Sequence, residues 1–303
     1  MRQCPIETLQ PAKLTFEGSK SNIAICASEK ILLESVMANE DARGVSSDSL
    51  ISNILFTLQR HWEEAPGYED ARFSIYFMNA DEPYDASNFD IVVQLDRLQL
   101  KNIYYGQQYS FFEWEAYLGV QLLAKWTVRD KSGALVDEYT HRDLMWWSSG
   151  IHEGKTEAVD HLPDVKDAWW DIGIAIAQNY AARVVPQWQT GIRNIYMVNN
   201  FAELSKRAHT AMQNDAYSRA IDIWESMLLS CRKHWQKKAK SQITYNMAVA
   251  YEFQNQLEQA VDWAQQSMNL KKKSKTVNYL NLLRERQQHQ TKLDLQTSTQ
   301  NHQ

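Results

Sequence analysis

Three cysteines in 303 residues, Cys4, Cys26 and Cys231, are too few and too widely spaced for a disulfide framework or a zinc pattern. Cys26 lies in an apolar run and reads as a buried thiol. There is no run of about eighteen apolar residues, so no membrane-spanning helix is predicted. A dominant charge is also missing. The net charge of −5 argues against a protein that coats nucleic acid. The chain has no Gly-rich phosphate loop and no nucleophile elbow. These absences lead to an expectation of a non-enzyme with no metal, no small-molecule cofactor and no nucleic-acid partner.

What is present is apolar bulk. Hydrophobic residues make up 44% of the chain and charged residues 23%, with 11 Trp and 14 Tyr. This is the composition of a globular protein long enough to bury two cores. A strand is read at Ser21 to Ala27. After the polar entry Ser46-Ser47-Asp48-Ser49, Leu50, Ile51, Ile54, Leu55, Leu58 and Trp62 fall on one helical face, which Pro66-Gly67 ends. A short strand, Arg72 to Phe77, follows. Phe89, Ile91, Val93 and Leu95 then alternate, and the phase shifts at Leu98 and Leu100, which predicts a bulge near Asp96 and Arg97. The even positions from Trp114 to Val128 are all apolar, the mark of a strand with one buried face. Asp130-Lys131-Ser132-Gly133 reads as a hairpin turn into a strand from Leu135 to Trp147. A second helix starts at Pro163-Asp164 and closes before Pro186, and a last strand spans Arg193 to Val198. The order predicts an α+β N-terminal domain over residues 1–198, a mostly antiparallel sheet with two helices on one face.

From Asn199 the pattern is helical. Phe201 to Gln213 pairs with Ala216 to Ser230, Lys240 to Phe253 pairs with Leu257 to Leu270, and a fifth helix begins near Thr276. Two stretches overlay: Ala208 and Ala220 are twelve apart, as are Ala248 and Ala260. Small residues at such spacing let paired helices approach closely, and each stretch resembles a tetratricopeptide repeat, with Tyr245 to Tyr251 the best local match. The repeats are 40 residues apart rather than about 34, Ala264 stands where Trp224 does in the first, and neither has the helix-ending proline. An all-α tetratricopeptide-like domain is therefore expected over 199–286, with a disordered Gln-rich tail at 287–303. Two repeats are few for independent stability, so this domain is expected to dock on the first or to rely on the fifth helix.

The whole pattern resembles something narrower. Ile6-Glu7-Thr8-Leu9-Gln10-Pro11-Ala12 precedes a strand beginning Asn22-Ile23-Ala24-Ile25, followed by the α+β domain and the helices. This is similar to a family of Bacteroidales envelope lipoproteins with a domain of unknown function of the 6340 type. The resemblance implies a lipidated cysteine shortly before the "x-P-A" segment, a place that Cys4 matches, although Met1 and Gln3 do not fit the residues expected just upstream. It also implies a cell-envelope location, as an outer-membrane lipoprotein or in the periplasm. Met1 as the true start implies the cytoplasm instead, because Met1-Arg2-Gln3 is too short for a signal peptide.

The candidate chemistry is thin. His141-Arg142-Asp143-Leu144 copies the start of a kinase catalytic loop, but Ser148 stands where the metal-holding Asn belongs. His152, Glu153 and His161 fit no zinc signature, and Asp81, Glu82 and Asp85 flank Pro83 and Tyr84 as in a surface turn. From Cys231 to Lys275 there are nine Lys/Arg and three Asp/Glu, with Lys271-Lys272-Lys273 at a helix C-terminus, where cations are favoured. The leading expectation is a non-enzymatic interaction or scaffolding lipoprotein of the envelope. It would bind another protein or a peptide through Tyr217, Tyr245, Asn246, Tyr251 and Glu252, with a lipid anchor at Cys4. The alternatives are a glycan- or peptidoglycan-binding module using Trp146, Trp147, Trp169 or Trp170, and a hydrolase with a site around His141, Asp143 and His152.

Overall fold

The computed structural model describes residues 2–16, 20–28, 47–78, 88–231 and 236–298. Asp81 to Asp85 lie outside these residues, as does most of the connection between the two helical repeats. The chain divides into two compact units. One comprises Ala12–Pro186 with Gln296–Gln303, and the other Met1–Pro11 with Gln187–Leu295. An N-terminal β-rich region and a C-terminal all-helical region are both present.

The strands are β1 (Arg2–Gln10), β2 (Asn22–Ser28), β3 (Arg72–Met78), β4 (Ile91–Gln108), β5 (Glu113–Asp130), β6 (Leu135–Glu153) and β7 (Gln187–Ile195). The helices are α1 (Ser47–Glu63), α2 (Lys155–Asp160), α3 (Val165–Val184), α4 (Ala202–Gln213), α5 (Tyr217–Ser230), α6 (Lys237–Phe253), α7 (Leu257–Leu270) and α8 (Ser274–Ser298).

The first unit is built on a five-stranded sheet of order β3-β2-β4-β5-β6. Here β2 runs parallel to both β3 and β4, whereas β4–β5 and β5–β6 are antiparallel. The sheet is thus evenly mixed rather than mostly antiparallel. The reason is α1, which lies between β2 and β3 in the chain and serves as the crossover that parallel neighbours need. The register slips between Leu95 and Arg97, where the phase shift predicts a bulge. Leu118, Val120, Leu122, Ala124, Trp126 and Val128 of β5 are buried with Leu50, Ile54 and Leu58 of α1 and Trp169, Ile172 and Ile176 of α3. Helix α3 begins at Asp164, whose carboxylate accepts from the Lys166 N–H. Gly173 lets α1 and α3 cross closely: a Cβ there would stand 3.1 Å from Leu50 and 3.2 Å from Asn53.

In the second unit, β1 and β7 form a two-stranded antiparallel ribbon, with Cys4 opposite Arg193 and Ile6 opposite Gly191. The strand predicted to complete the first sheet therefore belongs with the helices, and its partner is the N-terminal segment. Cys4 and Ile195 from this ribbon enter the same core as Ala208, Trp224, Met247, Ala248 and Leu283. The helical repeat is visible in the backbone. Asp215 and Asn255, forty residues apart, both have positive φ (55° and 57°). The next N–H closes back on a carbonyl five residues earlier, Ala216 to Ala211 and Gln256 to Tyr251, each at 2.9 Å. This is the Schellman ending, in which Asp and Asn tolerate the left-handed backbone better than most residues. Ala208, Ala220, Ala248 and Ala260 are all fully buried.

The segment expected to be a disordered tail is helical as far as Ser298. Tertiary contacts hold its end: Leu293 and Gln296 are buried. The Gln296 amide pairs both backbone groups of Ala12, accepting from its N–H and donating to its C=O, each at 3.1 Å.

Candidate functional site

The residues expected to hold a partner converge on a piece of this chain. Asn246 is fully buried on α6. The Tyr196 N–H donates to its Oδ1 at 2.8 Å, and its Nδ2 donates to the Tyr196 carbonyl at 2.8 Å. Tyr196 directly follows β7. One side-chain amide thus supplies both bonds that a neighbouring strand would make to that residue. The Tyr245 ring meets the Tyr196 ring nearly perpendicular at 5.1 Å, and the Lys273 ammonium lies 5.0 Å from the same ring. Burial, then Lys271 and Lys238, draw Lys273 below its ordinary pKa. One member of the Lys run therefore packs against β7's extension.

Glu252, one turn and a half further along α6, fixes the strand itself. Its carboxylate accepts from Arg193 Nε at 2.8 Å and Nη2 at 2.7 Å, a bidentate pair, and also from Arg286 Nη1 at 2.5 Å and the Tyr279 hydroxyl at 2.7 Å. The Glu252 side chain is fully buried, and Arg193 and Arg286 are nearly so. Burial alone would pull Arg193 down, but the bonds and charge of Glu252 outweigh it and hold the guanidinium above its usual pKa. Burial and Glu252 together push the Tyr279 phenol far up. Strand β7, α6 and α8 are thereby tied through one carboxylate.

Three of the five expected residues, Tyr245, Asn246 and Glu252, thus come together around β7. Tyr217 and Tyr251 are half-buried. The Tyr217 hydroxyl donates to Asp215 at 2.6 Å, and burial followed by Asp215 lifts its pKa to about 12. Cys4, expected to carry a lipid, is 4% exposed in the helical core, and burial raises its thiol pKa.

In the sheet unit, the acid–base candidates do not assemble. His141 Nε2 lies 3.8 Å from Asp143, and burial lowers the imidazole pKa against the opposing pull of that carboxylate. His152 bonds the Ser149 carbonyl and His161 the Glu157 carbonyl, their rings stacked at 4.0 Å. Ser148 donates to Glu115. Among the described residues, no group of three or more His, Cys, Asp or Glu could hold a metal ion. The four tryptophans separate clearly. Trp169 is buried with its Nε1–H on Asn102 at 2.9 Å, Trp147 is packed against the core, and Trp146 and Trp170 are 47% and 44% exposed.

Residues 206–285 match the family described as Domain of unknown function (DUF6340), and residues 80–196 match Domain of unknown function (DUF8603). No curated protein matches the chain. Among solved structures, the chain is similar to a neuraminyllactose-binding hemagglutinin homolog from Helicobacter pylori. That pair shares 9% identity, covers 57% of this chain and 92% of that one, and has a TM-score of 0.30. A minor lipoprotein from Acinetobacter baumannii shares 10% identity over 55% of this chain and 97% of that one, with a TM-score of 0.29. The rare lipoprotein B from Shewanella oneidensis shares 8% identity over 52% and 89%, with a TM-score of 0.25. These scores are too low to establish a shared fold. No described helix is long and apolar enough to cross a membrane.

Sequence reasoning missed Arg193, Tyr196, Tyr279 and Arg286, the other half of the clamp. One signal was present: Cys4, Ile6 and Thr8 alternate with polar or exposed positions, and all three are buried. That alternation marks β1, and with it the need for a strand partner.

Proposed function

We propose that this chain is a non-enzymatic binding protein of the bacterial cell envelope whose helical unit is a tetratricopeptide-like array that holds extended polypeptide. The observation that carries the reading is the grip of Asn246 on both backbone groups of Tyr196. Such a grip holds a strand without regard to its side chains, and the Arg193–Glu252 pair adds the sequence-specific part. The repeated left-handed turn and the four buried alanines support a tetratricopeptide-like packing. The envelope placement rests on the resemblance to Bacteroidales lipoproteins, which agrees with the match of residues 206–285 to the 6340 family. The array's own strand occupies the clamp, so a partner protein or peptide meets the half-buried aromatics beside it, Tyr217 and Tyr251.

A photo-crosslinking residue at position 251 or 217 of the full chain, exposed to an envelope fraction, tests this. A discrete protein adduct is expected from these positions and none from position 229, where Leu229 is 78% exposed at the end of α5. Equal labelling from all three, or none from any, refutes the reading.

A further inference from the structure

The solvent face of β4–β6 carries an aromatic surface that the helical clamp does not explain. Leu118, Val120 and Leu122 point into the core, so Tyr117, Gly119 and Gln121 point away from the helices. Ladder pairing sets the rows on that outer face: Tyr105–Tyr117–Ser148, Ile103–Gly119–Trp146 and Lys101–Gln121–Leu144. The Trp146 indole lies flat against Gly119, where a Cβ would stand only 2.6 Å from the ring. The ring is 47% exposed. In the next row, Tyr105 (57% exposed) and Tyr117 pair with centroids 5.9 Å apart.

The polar groups around these rings are organised. Tyr109 donates to Glu115 at 2.7 Å, its hydroxyl stands 3.5 Å from that of Tyr117, and Ser148 donates to the other Glu115 oxygen. Those hydroxyls hold the Glu115 carboxyl below its usual pKa. Glu115 lies on the hairpin side of these rings, whereas exposed Lys101 and, one row beyond, exposed Arg142 lie on the other side, ahead of the Lys125–Glu138 ion pair.

We propose that this face binds a saccharide chain bearing carboxylates. Pyranose rings stack on Trp146 and on the Tyr105–Tyr117 pair, and a sugar carboxylate meets Lys101 and Arg142. Here the Trp146 indole seated on Gly119 stands beside the Tyr105–Tyr117 pair and the hydroxyls gathered on Glu115, matching a ligand whose rings have apolar faces and polar edges. The exposed Lys101 and Arg142 beyond Trp146 select the acidic member of that class. This site is in the sheet unit and does not depend on the reading of the helical array.

The test is calorimetry and tryptophan fluorescence of the full chain with hexuronate-containing oligosaccharides, alongside the same oligosaccharides after carboxyl reduction. The acidic ligand is expected to bind and quench fluorescence. Trp146→Ala should weaken it at least ~10-fold, while Trp170→Ala, an exposed tryptophan on α3, should leave it unchanged. Lys101→Gln with Arg142→Gln should remove the preference for the acidic over the reduced ligand. Gly119→Ala, which displaces the indole without deleting it, should also weaken binding and guards against misfolding of the Trp146 variant. Absence of binding to the acidic ligand, equal binding of both ligands, or indifference to Trp146→Ala overturns the proposal.

Discussion

Replacing Asn246 with Ala removes the clamp on Tyr196 at its centre. The amide makes two 2.8 Å bonds from a fully buried position, one to the N–H and one to the C=O of Tyr196. Each orphaned buried backbone group costs about 1–3 kcal/mol. Tyr196 itself is only half-buried, so water reaches part of the gap, and the expected total is about 2–4 kcal/mol. That penalty falls on the attachment of the β1–β7 ribbon, while the alanine-lined helix contacts are untouched. Hydrogen exchange read by mass spectrometry on the full chain separates the two. Amides of β7 and of its ladder partner β1 should exchange roughly 30- to 1000-fold faster, since each ~1.4 kcal/mol is a factor of ten. Amides in the middle of α6 and α7 should change far less. Asn246→Asp, which keeps an acceptor for the Tyr196 N–H but loses the donor and buries a charge, should not rescue protection. Unaltered exchange in β7 in the Ala variant would mean that the ribbon is held by something other than this amide, and the strand-holding function would lose its support.

Two further expectations follow from the packing and the buried histidines. Gly173→Val should lower the melting temperature, at a cost of about 1–3 kcal/mol, because its side chain has to push α1 from α3 at Leu50, Asn53 and Ile54; an unchanged thermal melt would show that the helices have room to part. His209, buried on α4 beside Arg2, is held below its usual pKa by burial and by that guanidinium, against a bond that the imidazole donates to the Gln213 side chain. The unfolded chain therefore takes up this proton first, so its contribution is intact above about pH 6.5 and is lost as pH falls below that. His209→Gln should flatten the dependence of stability on pH between ~7.5 and ~5.5 in denaturant titrations, and an identical slope would refute the assignment.

Much of the sheet unit was legible because its elements are periodic. The even positions of β5 from Leu118 to Val128 are buried, the bulge falls at Leu95/Arg97, and α3 starts behind Asp164. Parallel pairing of β2 was not legible, because short fully buried strands read alike whichever way their neighbours run. The same holds for α2, a single turn and a half whose one buried residue, Ala158, leaves no pattern. Among the site residues, Asn246 and Glu252 fall where the repeat pattern places a concave partner-binding side, yet both are fully buried and engaged within the chain. A polar residue amid a buried helix face signals a partner but does not reveal whether that partner is foreign.

The amide of Gln296 makes the same point at longer range. It pairs the N–H and C=O of Ala12 much as Asn246 pairs those of Tyr196, and it also donates to the Leu14 carbonyl at 2.8 Å, while the Lys20 ammonium donates to the Gln296 carbonyl at 2.8 Å. Among the described residues neither Tyr196 nor Ala12 stands in a strand ladder, and at each a helix supplies one side chain in place of a strand. A single amide satisfies a donor and an acceptor together, so it can hold irregular backbone that would otherwise carry unpaired groups into a buried place. Such a contact spans 284 residues for Gln296 and 50 for Asn246, and needs one residue at each end. It therefore leaves no periodic mark in the sequence, which is why Gln287 to Gln303 reads as a polar tail while its last described turns are ordered.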